Sequence, residues 1–502
     1  MFSRTYGAAI QGIDAILVRV EVDVSDGLPG LELVGFLASE VREARERVRV
    51  AIHNTGIVFP PKRITVNLSP ADVRKEGTAF DLPIAIAILT AFGHLSQELA
   101  EQTIFAGELS LDGRINPVNG ILPIACCAKE NGFSQIVVPV ENETEARLPG
   151  ELDVCGCEKL TEVLDFLRGG VRQEHDRGSG AEAIERAPDF EEICGQRAAK
   201  RAIEIAVAGG HNLLLMGSPG SGKTMLAKRI PSIMPELTRE ESLELSKIYS
   251  VSGRLDHVDT LLKKRPFCAP HHSITQAAMA GGGNRPKPGE ISLASHGVLF
   301  LDEFPEFERR TIELLRQPLE ERRITVNRVS GSCDYPASFM LVAAMNPCPC
   351  GAFPDRRVCR CTQNQIRKYQ GKISRPVLDR IDLFLQVAPV DYTELTGKGK
   401  EESSTEIRGR VCRARELQQR RYADAGILMN AELDTKRLEK YCFLQEDGKE
   451  MMRDAFYRYN LSARAYHRIL KVARTIADLD DREQIDTMHL AEAIGYRRRE
   501  NE

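Results

Sequence analysis

The spacing of hydrophobic and polar positions changes several times along the chain, and each change predicts an element. Across 16–24 (ILVRVEVDV), Val18, Val20, Val22 and Val24 fall on one face, and Arg19, Glu21 and Asp23 on the other. A period of two predicts a half-buried strand. Over 39–54 the repeat lengthens. Val41, Ala44, Val48 and Ile52 recur every three or four residues and Gly56 follows as a stop, which predicts a helix. The same reading expects strands at 63–68, 103–111 and 135–140, and helices at 79–92, 121–131 and 161–167. Three short apolar runs, 212–216 (NLLLM), 297–301 (GVLFL) and 339–345 (FMLVAAM), read as strands buried on both faces. Two polar stretches interrupt the pattern, 169–188 (GGVRQEHDRGSGAEAIERAP) and 392–404 (YTELTGKGKEESS). The first is rich in glycine and charge and reads as a linker. Beyond the second the pattern is helical and heavily charged, with no convincing strand. The expected organisation is therefore a mixed α/β unit over 1–168, a linker over 169–188, an α/β core over 189–390 and a helical unit over 391–502.

Composition narrows this picture. A chain of 502 residues is long enough for about three domains, each with its own core. Hydrophobic content of 42% and charged content of 28% rule out a wholly disordered chain. The longest near-apolar stretch, 82–93, is too short to cross a bilayer, so no membrane association is expected. The first fourteen residues lack the charged and apolar regions of a secretory signal. Thirteen cysteines, an odd number scattered over a long chain, do not read as a secreted disulfide framework. A cytoplasmic protein with reduced thiols is expected. The net charge of −4 does not announce nucleic acid, so any such contact must come from a local patch.

The chemistry starts at the first apolar run. It feeds into Gly217-Ser218-Pro219-Gly220-Ser221-Gly222-Lys223-Thr224 and then into a helix-like MLAKRI. This is G-x-x-x-x-G-K-[ST] in its strand–loop–helix setting. Glycines let backbone N–H groups close around a phosphate, and the helix N-terminus adds positive potential. Lys223 is expected to reach the β/γ-phosphates of ATP, and Thr224 to offer its hydroxyl to Mg²⁺. The second run ends in Asp302-Glu303. Asp302 is expected to hold Mg²⁺ through water and Glu303 to polarise the attacking water as general base. The third run ends at Asn346, a neutral group suited to orienting that water.

With these motifs in place, the runs PGEISLASHGVLFLDEF, NPCPCG and SRPVLDRIDLFL resemble the magnesium-chelatase-like AAA+ ATPases of the YifB/ComM type, over nearly the whole chain. The resemblance implies an α/β fold: a P-loop AAA+ domain with a helical lid, preceded by an α/β Lon-protease-like domain of the ribosomal S5-like fold. It implies that Asn346 is sensor 1, that Arg380 is an arginine finger reaching a neighbouring subunit's nucleotide, and that Arg464 is the sensor 2 arginine of the lid. From the residues alone, each arginine reads as well as a surface ion pair. In the front unit the resemblance places Ala79 at the serine position of the related proteases and Leu122 at the lysine position. Neither side chain supplies a nucleophile or its base, so peptidase activity is not expected.

Two further features stand outside the nucleotide motifs. Cys348, Cys350, Cys359 and Cys361 form C-x-C-x8-C-x-C, which fits either a tetrahedral Zn²⁺ site or four unlinked thiols. The stretch 356–372 (RRVCRCTQNQIRKYQGK) carries Arg356, Arg357, Arg360, Arg367, Lys368 and Lys372 with no acid. It reads as a surface for a phosphate backbone, or as a solvated insert or subunit contact. His271, His272 and His296 read as nucleotide-neighbourhood or packing residues. The resemblance points to a homo-oligomer, a hexamer, hydrolysing ATP with Mg²⁺. The work it implies is a DNA motor for translocation or branch migration in recombination or natural transformation. The alternatives are the motor of a chelatase acting on a protein partner, and an ATP-switched binding scaffold.

Overall fold

The computed structural model describes residues 1–58, 60–170, 188–255, 260–283, 287–328, 331–389 and 401–497. Most of the expected linker (171–187) and most of the second polar break (390–400) lie outside the described residues.

The front unit is built on a seven-stranded mixed sheet. Its spatial order is Gly30–Val34, Arg63–Ser69, Asp14–Ser25, Phe2–Gln11, Thr103–Phe105, Gln135–Pro139, Asp153–Cys157. Phe2–Gln11 and Asp14–Ser25 pair antiparallel in register Phe2 to Asp23, while the last three strands run parallel. Val18, Val20, Val22 and Val24 are buried as their alternation requires. The helix Asp81–Ala91, buried along its whole length, lies between this sheet and the amphipathic helix Ser39–Asn54.

The strand expected over 103–111 is broken in two. Thr103–Phe105 stays in the sheet, and Glu108–Leu109 turns away to pair with Ile115–Asn116. The break falls at Gly107, whose N–H donates to Ala79 O and whose carbonyl accepts from Leu82 N, both at 3.1 Å. A Cβ there would meet Ile115 Cγ2 at 2.6 Å, so the close approach needs glycine.

Asp81 is almost fully buried and receives two hydrogen bonds from Arg47, at 2.7 and 2.9 Å, and one from Leu109 N. Burial pushes its pKa up, against the pull of Arg47. Arg47→Met should therefore leave a buried carboxylate without its cation. We expect a loss of about 3–5 kcal/mol, read as a fall in the urea midpoint at unchanged m.

The core carries a five-stranded, all-parallel sheet in the order Phe267–Cys268, Val298–Leu301, Met340–Met345, Leu213–Gly217, Leu383–Val387. All three apolar runs lie in it, side by side. Such a sheet is covered on both faces and offers ligands its carboxyl edge. The C-terminal helices Ser404–Arg421, Glu446–Arg458, Ala463–Leu479 and Thr487–Gly495 share one hydrophobic cluster with the sheet, which includes Leu215, Ile230, Ile407, Ile469 and Ile476. Front unit and core meet where helix Arg239–Ser252 packs on helix Ile121–Glu130, with Ser250 Oγ donating to the buried Glu145 at 2.5 Å. Among the described residues no helix is long and apolar enough to cross a membrane.

Candidate functional site

The loop from Gly217 to Gly222 joins the central strand Leu213–Gly217 to helix Lys223–Ile233 at the sheet's carboxyl edge. Gly220 and Gly222 hold positive φ angles of 78° and 87°, a conformation other residues adopt at a cost. A Cβ at Gly217 would lie 2.5 Å from Val387 O, so glycine is required there by packing as well. Lys223 Nζ donates to Gly217 O at 2.8 Å and Ser218 O at 2.9 Å, and lies 3.4 Å from Asn346 Oδ1. Burial lowers the Lys223 pKa, while Asp302 works to raise it. Ser221 is buried within the same loop, and Pro219 faces the segment after Asn346.

Thr224 Oγ1 donates to Asp302 Oδ2 at 2.6 Å. The hydroxyl and carboxylate expected to share a cation are thus adjacent, and this donor set fits Mg²⁺, which takes oxygen ligands. Glu303 follows in the left-handed region at φ 50°, its N–H donating to Asp302 Oδ1 at 2.9 Å. Its carboxylate is more than half exposed and lies 3.5 Å from His272 Nδ1. His272 therefore sits in the neighbourhood of the cluster. His296 instead belongs to packing: burial works to lower its pKa, but Glu241 and Glu244 raise it to about 9.

The two arginines lie elsewhere. Arg380 follows the short helix Arg375–Leu378, just before the strand Leu383–Val387, and is buried. It pairs with Glu320 and donates to Pro376 O at 2.5 Å. Its backbone carbonyl accepts from Asn212 Nδ2 at 2.9 Å. Arg464 is exposed at the start of helix Ala463–Leu479. One turn further on, Arg468 pairs with Asp382. Burial opposes ionisation of Asp382, yet Arg468, His211 and the Asn212 N–H hold its carboxyl well below the usual range. Arg380, through its carbonyl, and Arg468, through Asp382, are thus tied to the amino edge of the sheet, where Leu383 pairs with Leu213. Five residues of strand separate that edge from the phosphate loop, roughly 16 Å at about 3.3 Å per residue.

The four cysteine sulfurs lie within 4.8 Å of one another. Cys348 Sγ is 3.4 Å from Cys350 Sγ and 3.8 Å from Cys359 Sγ, and Cys350 and Cys359 are 3.7 Å apart. Arg356, Arg357, Arg360, Arg367 and Lys368 are exposed around them, while Lys372 is paired with Glu306 at 2.9 Å. In the front unit, Thr78, Ala79 and Glu108 line a cavity of about 330 Å³ that Lys287 and Tyr335 of the core help to close. Leu122 is fully buried, its N–H donating to Glu145.

A family model described as "Magnesium chelatase, subunit ChlI" matches residues 189–395. Models for "Subunit ChlI of Mg-chelatase" and "Magnesium chelatase, subunit ChlI C-terminal" match 20–142 and 401–497. Competence protein ComM of Haemophilus influenzae is 43% identical over 503 residues, which span 98% of this chain and 96% of that protein. The chain belongs to the magnesium-chelatase-like family of the YifB/ComM type. A second member, YifB of Escherichia coli, is also 43% identical, over 97% of this chain and 96% of its own length. A Lon protease of Mycolicibacterium smegmatis is 23% identical over 185 residues, 35% of this chain and 24% of that protein. The YifB/ComM-type chain thus has an α/β P-loop fold with Lon-like similarity, and its family implies an ATPase that uses ATP and Mg²⁺.

Sequence reasoning missed several ion pairs and contacts around the YifB/ComM-type site. Asp382, Arg468, Glu320 and the stacking of Gly351 on Pro219 were not singled out. Asp382 had a signal: it is an acid placed directly before an apolar strand. Arg468 lies four residues from Arg464 and so shares its helix face.

Proposed function

We propose that the chain is a Mg²⁺-dependent ATPase of the AAA+ class that works as a ring, a hexamer by family resemblance, and drives DNA translocation or branch migration. The observation that carries the ring is the separation of the two groups. Lys223, Thr224, Asp302, Glu303 and Asn346 gather at the carboxyl edge, whereas Arg380 is tied to the amino edge through Asn212. An arginine held there serves a nucleotide only across a subunit boundary.

In this reading the loop from Gly217 to Gly222 cradles the phosphates and Lys223 neutralises them. Thr224 and Asp302 hold Mg²⁺, Glu303 takes the proton of the attacking water, and Asn346 orients that water. Arg380 completes the neighbouring subunit's site, and Arg464 serves as the sensor 2 arginine of the lid. The assigned units are 1–168, 189–390 and 391–502, and the location is cytoplasmic. The front unit shapes or binds rather than cleaves, since Ala79 and Leu122 offer no nucleophile–base pair.

DNA is supported by the exposed, acid-poor surface of Arg356, Arg357, Arg360, Arg367 and Lys368. The designation of the Haemophilus influenzae relative as a competence protein points the same way. Turnover should rise with single-stranded, duplex or four-way-junction DNA in an ATPase assay at low salt. Affinity should fall with salt, and Arg367→Ala with Lys368→Ala should reduce the log–log salt slope by about 2, one per lost phosphate contact. Indifference to every DNA would favour the second reading, the motor of a chelatase-type complex with a protein partner. The family descriptions over 189–395 and 401–497 support that reading.

The four thiols are assigned to one Zn²⁺. A tetrahedral site with Zn–S bonds of about 2.3 Å has sulfur–sulfur edges of about 3.8 Å. The three separations among Cys348, Cys350 and Cys359, 3.4 to 3.8 Å, fit that cage, and all four sulfurs lie within 4.8 Å of one another.

A further inference from the structure

We infer that the four-cysteine knuckle braces the phosphate-binding loop, so that metal held by Cys348, Cys350, Cys359 and Cys361 sets nucleotide affinity. This rests on the zinc assignment above and goes beyond it, from a structural metal to one coupled to the nucleotide site.

Three contacts make the connection. The turn between the two halves of the cluster is closed by Gly351 N donating to Cys348 O at 2.9 Å, with Gly351 at φ 79°. That turn presses on the phosphate loop: a Cβ on Gly351 would lie 2.4 Å from Pro219 Cδ and 2.7 Å from Pro219 Cγ. Next, Cys348 is two residues from Asn346, whose side chain lies 3.4 Å from Lys223 Nζ. Finally, helix Gln363–Gln370, capped by Thr362 next to Cys361, reaches back to the same strand end. Gln370 Nε2 donates to the carbonyl of Pro347, the residue after Asn346, at 3.0 Å. The knuckle therefore touches the phosphate loop on one side and the sensor asparagine on the other.

The knuckle has little else to hold it. Its own apolar cluster consists of buried Cys348, Cys359 and Ile366, with Ala352, Phe353 and Cys361 partly buried against them. Three of those six side chains are the proposed ligands. A core this small does not fix a loop without a cross-link or a metal. Releasing the metal would free the 348–361 loop and, with it, the packing on Pro219 and the position of Asn346. Site-to-site couplings of this kind are on the order of ten-fold to a hundred-fold in affinity.

The experiment measures zinc content and binding of a fluorescent ATP analogue with Mg²⁺ on full-length protein, side by side. Wild type should hold about one zinc per chain. Cys359→Ser with Cys361→Ser should lose the zinc and bind the analogue at least about ten-fold more weakly. Gly351→Val keeps every sulfur but drives a side chain into Pro219. It should retain zinc and still show a comparable loss of affinity. Zinc-free double variant with wild-type nucleotide affinity overturns the coupling. Wild-type protein without zinc overturns the metal assignment on which it rests, and metal analysis alone reveals that case. If the double variant does not fold, Gly351→Val decides: full zinc with wild-type affinity overturns the brace, and full zinc with weakened affinity upholds it.

Discussion

Replacing Arg380 by alanine should leave ATP affinity near that of wild type and cut turnover by about 10³–10⁵, the range for an arginine finger. A merely structural arginine predicts something else. Arg380 is buried and paired with Glu320, so its loss would then act through stability and weaken binding and turnover together. The backbone around it is held independently. Asn212 bonds the Arg380 carbonyl, and Asp382 is gripped by Arg468. Truncating the side chain therefore keeps the strand entry in place. Glu320→Gln is the complementary variant. It releases the guanidinium without removing it, so turnover should persist if Arg380 is a finger. Mixing adds the decisive comparison. Arg380→Ala and Lys223→Ala subunits, each inactive alone, should partly restore activity when co-assembled, because some boundaries pair an intact Lys223 with an intact Arg380. Co-assembled subunits with no recovery would show that Arg380 does not act across a boundary.

The carboxyl edge of the core sheet is legible in the sequence because its residues follow strands of one kind. An apolar run buried on both faces, ending in a polar residue, marks a parallel strand and its carboxyl end together. Gly217, Asp302 and Asn346 each directly follow such a run. The front unit was harder to read. Phe2–Gln11 is a central strand, but Ser3 and Thr5 point into the core, where their hydroxyls donate to Ala87 O at 2.6 Å and Pro83 O at 2.9 Å. Inward polar residues satisfied by a helix backbone erase the alternation on which a strand reading depends. Asp153–Cys157 was hidden for a related reason: Gly156 leaves no side chain to mark a face, and its close approach to Glu143 excludes one. The ion-pair partners of Arg380 and Arg468, Glu320 and Asp382, come from distant parts of the chain, so no local spacing announced them. The cysteine pairs lay between these cases. Their identity was plain, but only folding brings the two pairs, nine residues apart at the nearest, to within 3.7 Å.

Glu303→Gln should bind ATP as wild type does and hydrolyse it about 10²–10⁴ times more slowly, the usual contribution of a general base. The amide keeps the size and shape of the carboxylate and loses its ability to take a proton. The local backbone favours a clean result. Glu303 is held at φ 50° by its own N–H bond to Asp302 Oδ1, which the substitution does not touch. Its side chain is more than half exposed, so the change leaves no buried group unpaired. Asp302 keeps its 2.6 Å bond with Thr224, and the groups assigned to Mg²⁺ remain intact. His272, 3.5 Å from the Glu303 carboxylate, is a neighbouring group with the chemistry to substitute as a base. His272→Asn alone should therefore have a smaller effect than Glu303→Gln, and the pair together should lose little more than Glu303→Gln. Residual turnover above about one-tenth of wild type in Glu303→Gln, with nucleotide affinity unchanged, would remove Glu303 from the role of base, because a loss of at least about 10² is expected of that group.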